Sequence, residues 1–210
     1  MQTHLQRRRF LLSLLFTISL FHLRPTPAAA SPSRTLQISD ADFIRQNCNT
    51  TLYADICYSS LSRYARDIRQ SPERLVRVSI SVCHSLAKPL SAYISDLFHR
   101  GGSDDPRLAE ALDQCVETFD MAIGEMEDSL EQMRNMQLPS DIVNVQTWMS
   151  SALTNAETCT EGLEEVSDGP EKLDVINRST EVMDFTSIVL AFVAEISPTP
   201  PSKETGLTFD

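Results

Sequence analysis

The chain has 210 residues and a formal net charge of −11, from 18 Lys and Arg against 29 Asp and Glu. That length holds one ordinary domain with a real core. The charge argues against holding polyanions such as nucleic acid or an acidic polysaccharide by charge, and would draw the chain instead toward a basic partner.

At the N-terminus, Arg7, Arg8 and Arg9 precede an apolar run from Phe10 to Phe21, and Ala28-Ala29-Ala30 follows. Basic, apolar, then small residues is the order of a secretory signal peptide. The apolar run has 12 residues, short of the roughly 20 that a spanning helix needs, so no membrane anchor is expected in the mature form. Cleavage after Ala30 removes four arginines and no acid, which leaves residues 31–210 at a net charge of −15. Residues 31–37 and 197–210 are rich in Pro, Ser and Thr, and both are predicted to be flexible tails.

The stretch between the tails reads as helix throughout, without sustained period-two alternation. Asp40 is placed to cap a short helix through Asn47, and a second is predicted from about Thr51 to Arg69. Cys48 and Cys57 flank the turn between them, a spacing that suits a local bridge closing a helical hairpin. The first long segment starts at Ser71-Pro72, a cap followed by a first-turn proline. It carries Val82, Leu86, Leu90, Tyr93 and Leu97 at helical spacing to Arg100, and Gly101-Gly102 ends it. The second begins near Asp104-Asp105-Pro106, with Leu108, Leu112, Cys115, Phe119, Ala122, Met126 and Met133 as its apolar seam. Pro139-Ser140-Asp141 breaks the chain and caps the third, whose seam is Val145, Trp148, Ala152, Ala156, Cys159, Leu163 and Val166. Asp168-Gly169-Pro170 precedes the fourth, with Leu173, Ile176, Thr180, Met183, Ser187, Leu190 and Ala194. Each segment has one apolar stripe that must be covered. Four such stripes of similar length, joined by short loops, predict an all-α fold: an up-down-up-down four-helix bundle over 71–196, preceded by a short helical hairpin over 38–70. The small residues Ala122, Ala152, Ala156 and Ser187 would allow close helix approach.

Five cysteines lie beyond the signal peptide: Cys48, Cys57, Cys83, Cys115 and Cys159. Secretion favours disulfides. An odd count leaves at least one thiol over unless chains are cross-linked, and composition alone does not choose among the pairings. Signals for catalysis or metal binding are missing. Only His84 and His99 remain after signal removal, and there is no Glu-x-x-His, Cys-x-x-Cys, His-Glu-x-x-His or Gly-x-Ser-x-Gly. Cys83 adjoins His84, but sequence neighbours on a helix do not face each other, so Cys83 is read as a half-buried free thiol. No cofactor, no metal and no enzymatic activity are expected. Asn49-Thr50-Thr51 and Asn177-Arg178-Ser179 are glycosylation sequons, which makes Asn49 and Asn177 candidate acceptors.

The segment Asn47-Cys48-Asn49-Thr50-Thr51-Leu52-Tyr53-Ala54-Asp55-Ile56-Cys57-Tyr58-Ser59-Ser60-Leu61 resembles the N-terminal hairpin of the plant invertase and pectin methylesterase inhibitor family. Asp113-Gln114-Cys115-Val116-Glu117-Thr118-Phe119 resembles its second-helix signature, and Thr147-Trp148-Met149-Ser150-Ser151-Ala152-Leu153-Thr154-Asn155 with Thr158-Cys159 resembles its third. The likeness spans roughly residues 38 to 196, here taken as one inhibitor domain. It implies bridges Cys48–Cys57 and Cys115–Cys159 with Cys83 free. It also implies a secreted, apoplastic protein that forms a reversible complex with a plant enzyme and blocks its cleft, through a surface supplied mainly by the second and third long helices. Glu117, Asp120, Thr147, Ser151, Asn155 and Thr158 flank the seam there and are the candidate contacts. Ala54 stands where many members have Pro, and Ile188 where many have Asn. Family members that inhibit invertase use a Pro-Lys-Phe tripeptide between the two latter cysteines. Here Met136-Gln137-Leu138-Pro139-Ser140-Asp141 stands in that stretch, so pectin methylesterase is the expected partner and acid invertase the alternative. A secreted signalling or storage protein without an enzyme target is a further alternative. The chain ends at Asp210, which leaves no room for a following catalytic domain, so it is expected to act as a separate inhibitor.

Overall fold

A computed structural model describes residues 38–100 and 105–198. The signal segment, the predicted tail 31–37 and all but the first two residues of the predicted tail 197–210 lie outside the described residues. Among those described the chain is all helix and turn. Helices α1 (Asp40–Cys48), α2 (Ala54–Leu61) and α3 (Ala65–Ile68) form the N-terminal hairpin. Helices α4 (Pro72–His99), α5 (Pro106–Asn135), α6 (Ile142–Glu164) and α7 (Pro170–Ile196) form the bundle.

Local chemistry sets the helix ends. Ser71 Oγ accepts from the Arg74 amide at 3.2 Å, and Asp105 Oδ1 accepts from the Arg107 amide at 3.0 Å. A first-turn proline follows each cap, where its missing N–H costs nothing. Two predicted caps are corrected. Ser39, not Asp40, caps α1 through the Asp42 amide, and Asp40 instead accepts from Gln70 Nε2 at 2.9 Å. Asp141 turns back from α6. It accepts the amides of Gln137 and Leu138 at 2.9 and 3.0 Å, and so closes the loop before the short 3₁₀ turn Pro139–Asp141. These bonds hold its carboxyl below the ordinary carboxylate value. The helix predicted over 51–69 is broken by a 3₁₀ turn at Ser62–Tyr64, and it ends with Arg69 and Gln70 at φ 48° and 57°. Two consecutive left-handed residues reverse the chain into α4.

In the bundle α4 packs on α5, α5 on α6, α6 on α7 and α7 on α4, and the hairpin rests on α4 and α7. The core runs through all four helices, with Phe119, Phe185, Phe192, Ile80, Ile94 and Met149 fully buried. Every seam residue expected on α5 is buried. On α6 the core residue is Met149 and Trp148 is only half-buried, because the true stripe is rotated by one position at that turn.

On α7 the whole expected stripe is displaced by one residue. Lys172, Val175, Ser179, Val182, Thr186, Val189 and Val193 face inward, while Leu173 is 50 % exposed and Thr180 and Ala194 are exposed. One residue rotates a helix by about 100°, so this exchanges faces. The inward polar groups are largely satisfied. Lys172 Nζ donates to the Val166 carbonyl at 2.6 Å and to Asp168 at 3.1 Å, and the Thr186 hydroxyl donates to the Val182 carbonyl at 2.7 Å.

Candidate functional site

Helices α5 and α6 are joined by Cys115–Cys159, in the first third of α5 and near the C-terminal end of α6, with Cα atoms 4.5 Å apart. Cys48–Cys57 closes the α1–α2 hairpin across 5.5 Å. One turn from Cys159, Gly162 leaves room for the Gln114 side chain, whose Oε1 lies 2.6 Å from where a Cβ would stand, while the helix approach itself is set by the bridge. Small residues continue that approach, since Ala122, Ala152 and Ala156 are fully buried.

Above the bridge, Glu125 of α5 ties the helices together again. One carboxylate oxygen accepts from the Ser151 hydroxyl, and the other accepts from Asn155 Nδ2 at 3.0 Å. Side chains lean toward the N-terminus of their own helix. In an antiparallel pair that tilts Glu125 and Asn155 toward each other. Charge-assisted bonds of this kind are stronger than neutral ones, so the polar face of α6 is held in a fixed orientation. Glu117, Met121 and Glu125 follow one another at four-residue spacing on α5, which places them on one face. Met121 stands there 52 % exposed.

The six expected contacts therefore fall into four placements. Ser151 and Asn155 are brought together by Glu125. Thr147 and Thr158 lie along α6, and their hydroxyls donate to the carbonyls of Val143 and Thr154, each at 2.9 Å. Glu117 is exposed and makes no hydrogen bond or ion pair among the described residues. Asp120 departs from the set. It accepts from Ser91 Oγ at 3.0 Å and so belongs to the α4–α5 seam. Glu125 and Met121 were not singled out from the sequence. The register of the Cys115–Cys159 bridge would have found Glu125, since it brings that residue within about a turn of Ser151.

Cys83 is not half-buried but fully buried. Its Sγ lies 3.1 Å from Thr186 Oγ1, and burial pushes the thiol up to about 12. His84 points away from it and meets Glu127 Oε1 at 3.1 Å, with Lys88 Nζ 3.7 Å from the same oxygen. Thiol and imidazole thus do not form a nucleophile–base pair. Both sequon asparagines, Asn49 and Asn177, are exposed. Asn177 lies within α7, and the Ser179 of its sequon is buried. Among the described residues no cluster of His, Cys, Asp and Glu is arranged to hold a metal, and no helix is long and apolar enough to cross a membrane. What the α5–α6 pair presents is an acidic, hydroxyl-rich face held by the bridge and by Glu125.

Residues 42–192 match the sequence model of the family described as plant invertase/pectin methylesterase inhibitor. The chain belongs to this family. Among its inhibitor-family relatives, pectinesterase inhibitor 10 of Arabidopsis thaliana is 32 % identical over 161 residues, 74 % of this chain and 51 % of the relative. The chain thus spans about half the length of that relative. Pectinesterase inhibitor 11 of the same plant is 30 % identical over 192 residues, covering 86 % of this chain and 95 % of its own length. The crystal structure of a mutant form of an Arabidopsis pectin methylesterase inhibitor superposes with a TM-score of 0.60 at 21 % identity, over 73 % of this chain and 95 % of that one. At that identity the likeness concerns the inhibitor-family fold.

Proposed function

We propose that this chain is a secreted inhibitor of plant pectin methylesterase that binds the enzyme reversibly, covers its pectin-binding cleft and performs no catalysis. The observation that carries the reading is family membership over residues 42–192, with a relative named pectinesterase inhibitor covered along 95 % of its length. Residues 1–30 serve as the signal for export to the apoplast, 31–37 and 197–210 are tails, and residues 38–196 are the working domain. Asn49 and Asn177 are the glycan acceptors.

The binding face is the bridged α5–α6 pair. Glu125 pre-orients Ser151 and Asn155 before the partner arrives, which lowers the ordering cost of association. Met121 is the apolar anchor among polar neighbours, the pattern of an interface hot spot. Glu117, Thr147 and Thr158 form the polar rim. Asp120 contributes at the α4 edge. The net acidity favours a basic enzyme, and exposed charge pairs of this kind weaken as salt rises.

The missing Pro-Lys-Phe, with Met136–Asp141 in its place, favours pectin methylesterase over acid invertase. Mixing the purified mature protein with a plant pectin methylesterase should give a stoichiometric complex on size-exclusion chromatography, and that complex should recede as salt is raised. Independent elution at all salt concentrations would leave a signalling or storage role as the better reading.

A further inference from the structure

The acidity of the chain is unevenly placed. Residues 105–198 carry 20 Asp and Glu against 4 Lys and Arg, whereas residues 38–100 carry 6 against 8. Five arginines fall between positions 63 and 77: Arg63, Arg66, Arg69, Arg74 and Arg77. The hairpin end of the molecule is therefore locally basic, although the chain as a whole is acidic.

At this end lies an open groove of about 400 Å³ between α4, α5 and the 3₁₀ turn Ser62–Tyr64. Arg77, Ser81 and Ser85 follow at four-residue spacing along α4, Arg134 comes from α5, and Tyr64 closes one side. Val78, Val82 and Leu130 supply apolar surface in the same groove. The side chains of Arg77 and Arg134 are exposed and make no ion pair or hydrogen bond among the described residues, while the Arg77 carbonyl accepts from Ser81 Oγ at 3.0 Å. Two unpaired guanidiniums in one groove are an unusual placement for a chain this acidic, and each presents a fork matched to a carboxylate.

We propose that this groove binds a uronic-acid unit of an acidic oligosaccharide. The arginines receive the carboxylate, the serine hydroxyls and the Tyr64 phenol meet sugar hydroxyls, and the apolar surface lies under the ring. Asp67 also lines the groove. Its carboxylate accepts a sugar hydroxyl and repels a second negative charge close by, which selects isolated carboxylates over dense phosphates. The groove is separate from the α5–α6 face. Only the choice of galacturonate as the probe rests on the proposed function.

Calorimetric titration of the mature, fully bridged protein with trigalacturonate tests the assignment. The wild type should bind the free acid and lose binding to its methyl ester. Arg77→Gln combined with Arg134→Gln should weaken binding at least about tenfold, as expected for losing hydrogen bonds to a charged group. Arg69→Gln with Arg74→Gln removes the same charge outside the groove and should leave affinity nearly unchanged. Ser81→Asp provides a second groove variant, expected to weaken binding likewise, and thermal melts report whether each variant is folded. Inhibition of pectin methylesterase by the groove variants should be retained, so a failure of either reading is visible separately. The assignment is overturned if trigalacturonate does not bind, or if the ester, inorganic phosphate or hexaglutamate binds as well as the acid. Equal losses in the groove and control variants would overturn it too.

Discussion

The two bridges differ in the length of chain they close, and that difference predicts how unequally they stabilise the fold. Cys115 and Cys159 are 44 residues apart, and Cys48 and Cys57 are 9 apart. Chain-entropy arithmetic gives about 4 kcal/mol for the larger loop and about 2.5 kcal/mol for the smaller. Replacing Cys115 and Cys159 together with Ala also removes two fully buried sulfurs and leaves space between α5 and α6, which adds to the loss. With a urea dependence of about 2 kcal/mol per molar, the bundle-bridge variant should unfold about 2 M earlier than wild type. The Cys48→Ala, Cys57→Ala variant should unfold about 1 M earlier by the same arithmetic. Far-UV circular dichroism through a urea series, without reductant, measures both. Equal midpoints for wild type and the Cys115/Cys159 variant would refute the reasoning, as would a hairpin bridge that contributes more than the bundle bridge.

Glu125→Ala should release Ser151 and Asn155 and weaken the complex with the target about tenfold or more, as for other charge-assisted hydrogen bonds, with a stability change under about 1 kcal/mol at this partly exposed site. An inhibition constant unchanged in Glu125→Ala would remove Glu125 from the binding face. Cys83, buried and pushed up to about 12, should react with a thiol reagent at pH 8 only after unfolding. Fast labelling of the native protein would contradict its burial. The carboxyls of Asp141 and Asp174 are both lowered, the first by two backbone amides and the second chiefly by the Tyr93 hydroxyl. A lowered carboxylate stabilises the fold above its unfolded value, and that contribution is lost as pH falls through the folded value. Stability should therefore drop below the ordinary value of 3.8, and Asp141→Asn should flatten part of this acid limb in urea midpoints measured from pH 5 to pH 2. An identical acid limb in wild type and variant would contradict the assigned cause.

The parts of the fold legible in the sequence were those fixed by local chemistry. Ser71-Pro72 and Asp105-Pro106 start α4 and α5 because a capping oxygen and a proline act within one turn. The α5 stripe was readable because its apolar row has a polar row opposite. The α7 stripe was misplaced because the row one residue on, with Leu173, Ile176, Met183 and Leu190, looks more apolar than the true inward row with Lys172, Ser179 and Thr186. Only tertiary partners show that Lys172 and Thr186 can be buried, since their hydrogen bonds end on Val166, Asp168 and Val182. The candidate face was legible as a pair of helices and not residue by residue. Asp120 turned out to face α4. Glu125, which organises Ser151 and Asn155, requires the bridge register to be known first. The basic groove was hidden by net charge, because composition averages over the molecule while Arg77 and Arg134 meet only in space.

We propose that the α5–α6 face of this family member blocks pectin methylesterase. That blockade is tested most directly by titrating the purified mature protein into two assays run side by side, one of a plant pectin methylesterase and one of a plant acid invertase. Pectin methylesterase activity should fall saturably and reversibly with invertase left active, and Met121→Asp should have a weaker effect than wild type. Inhibition of invertase with pectin methylesterase unaffected would contradict the assignment of the target. Undiminished pectin methylesterase inhibition by Met121→Asp would contradict the assignment of the face.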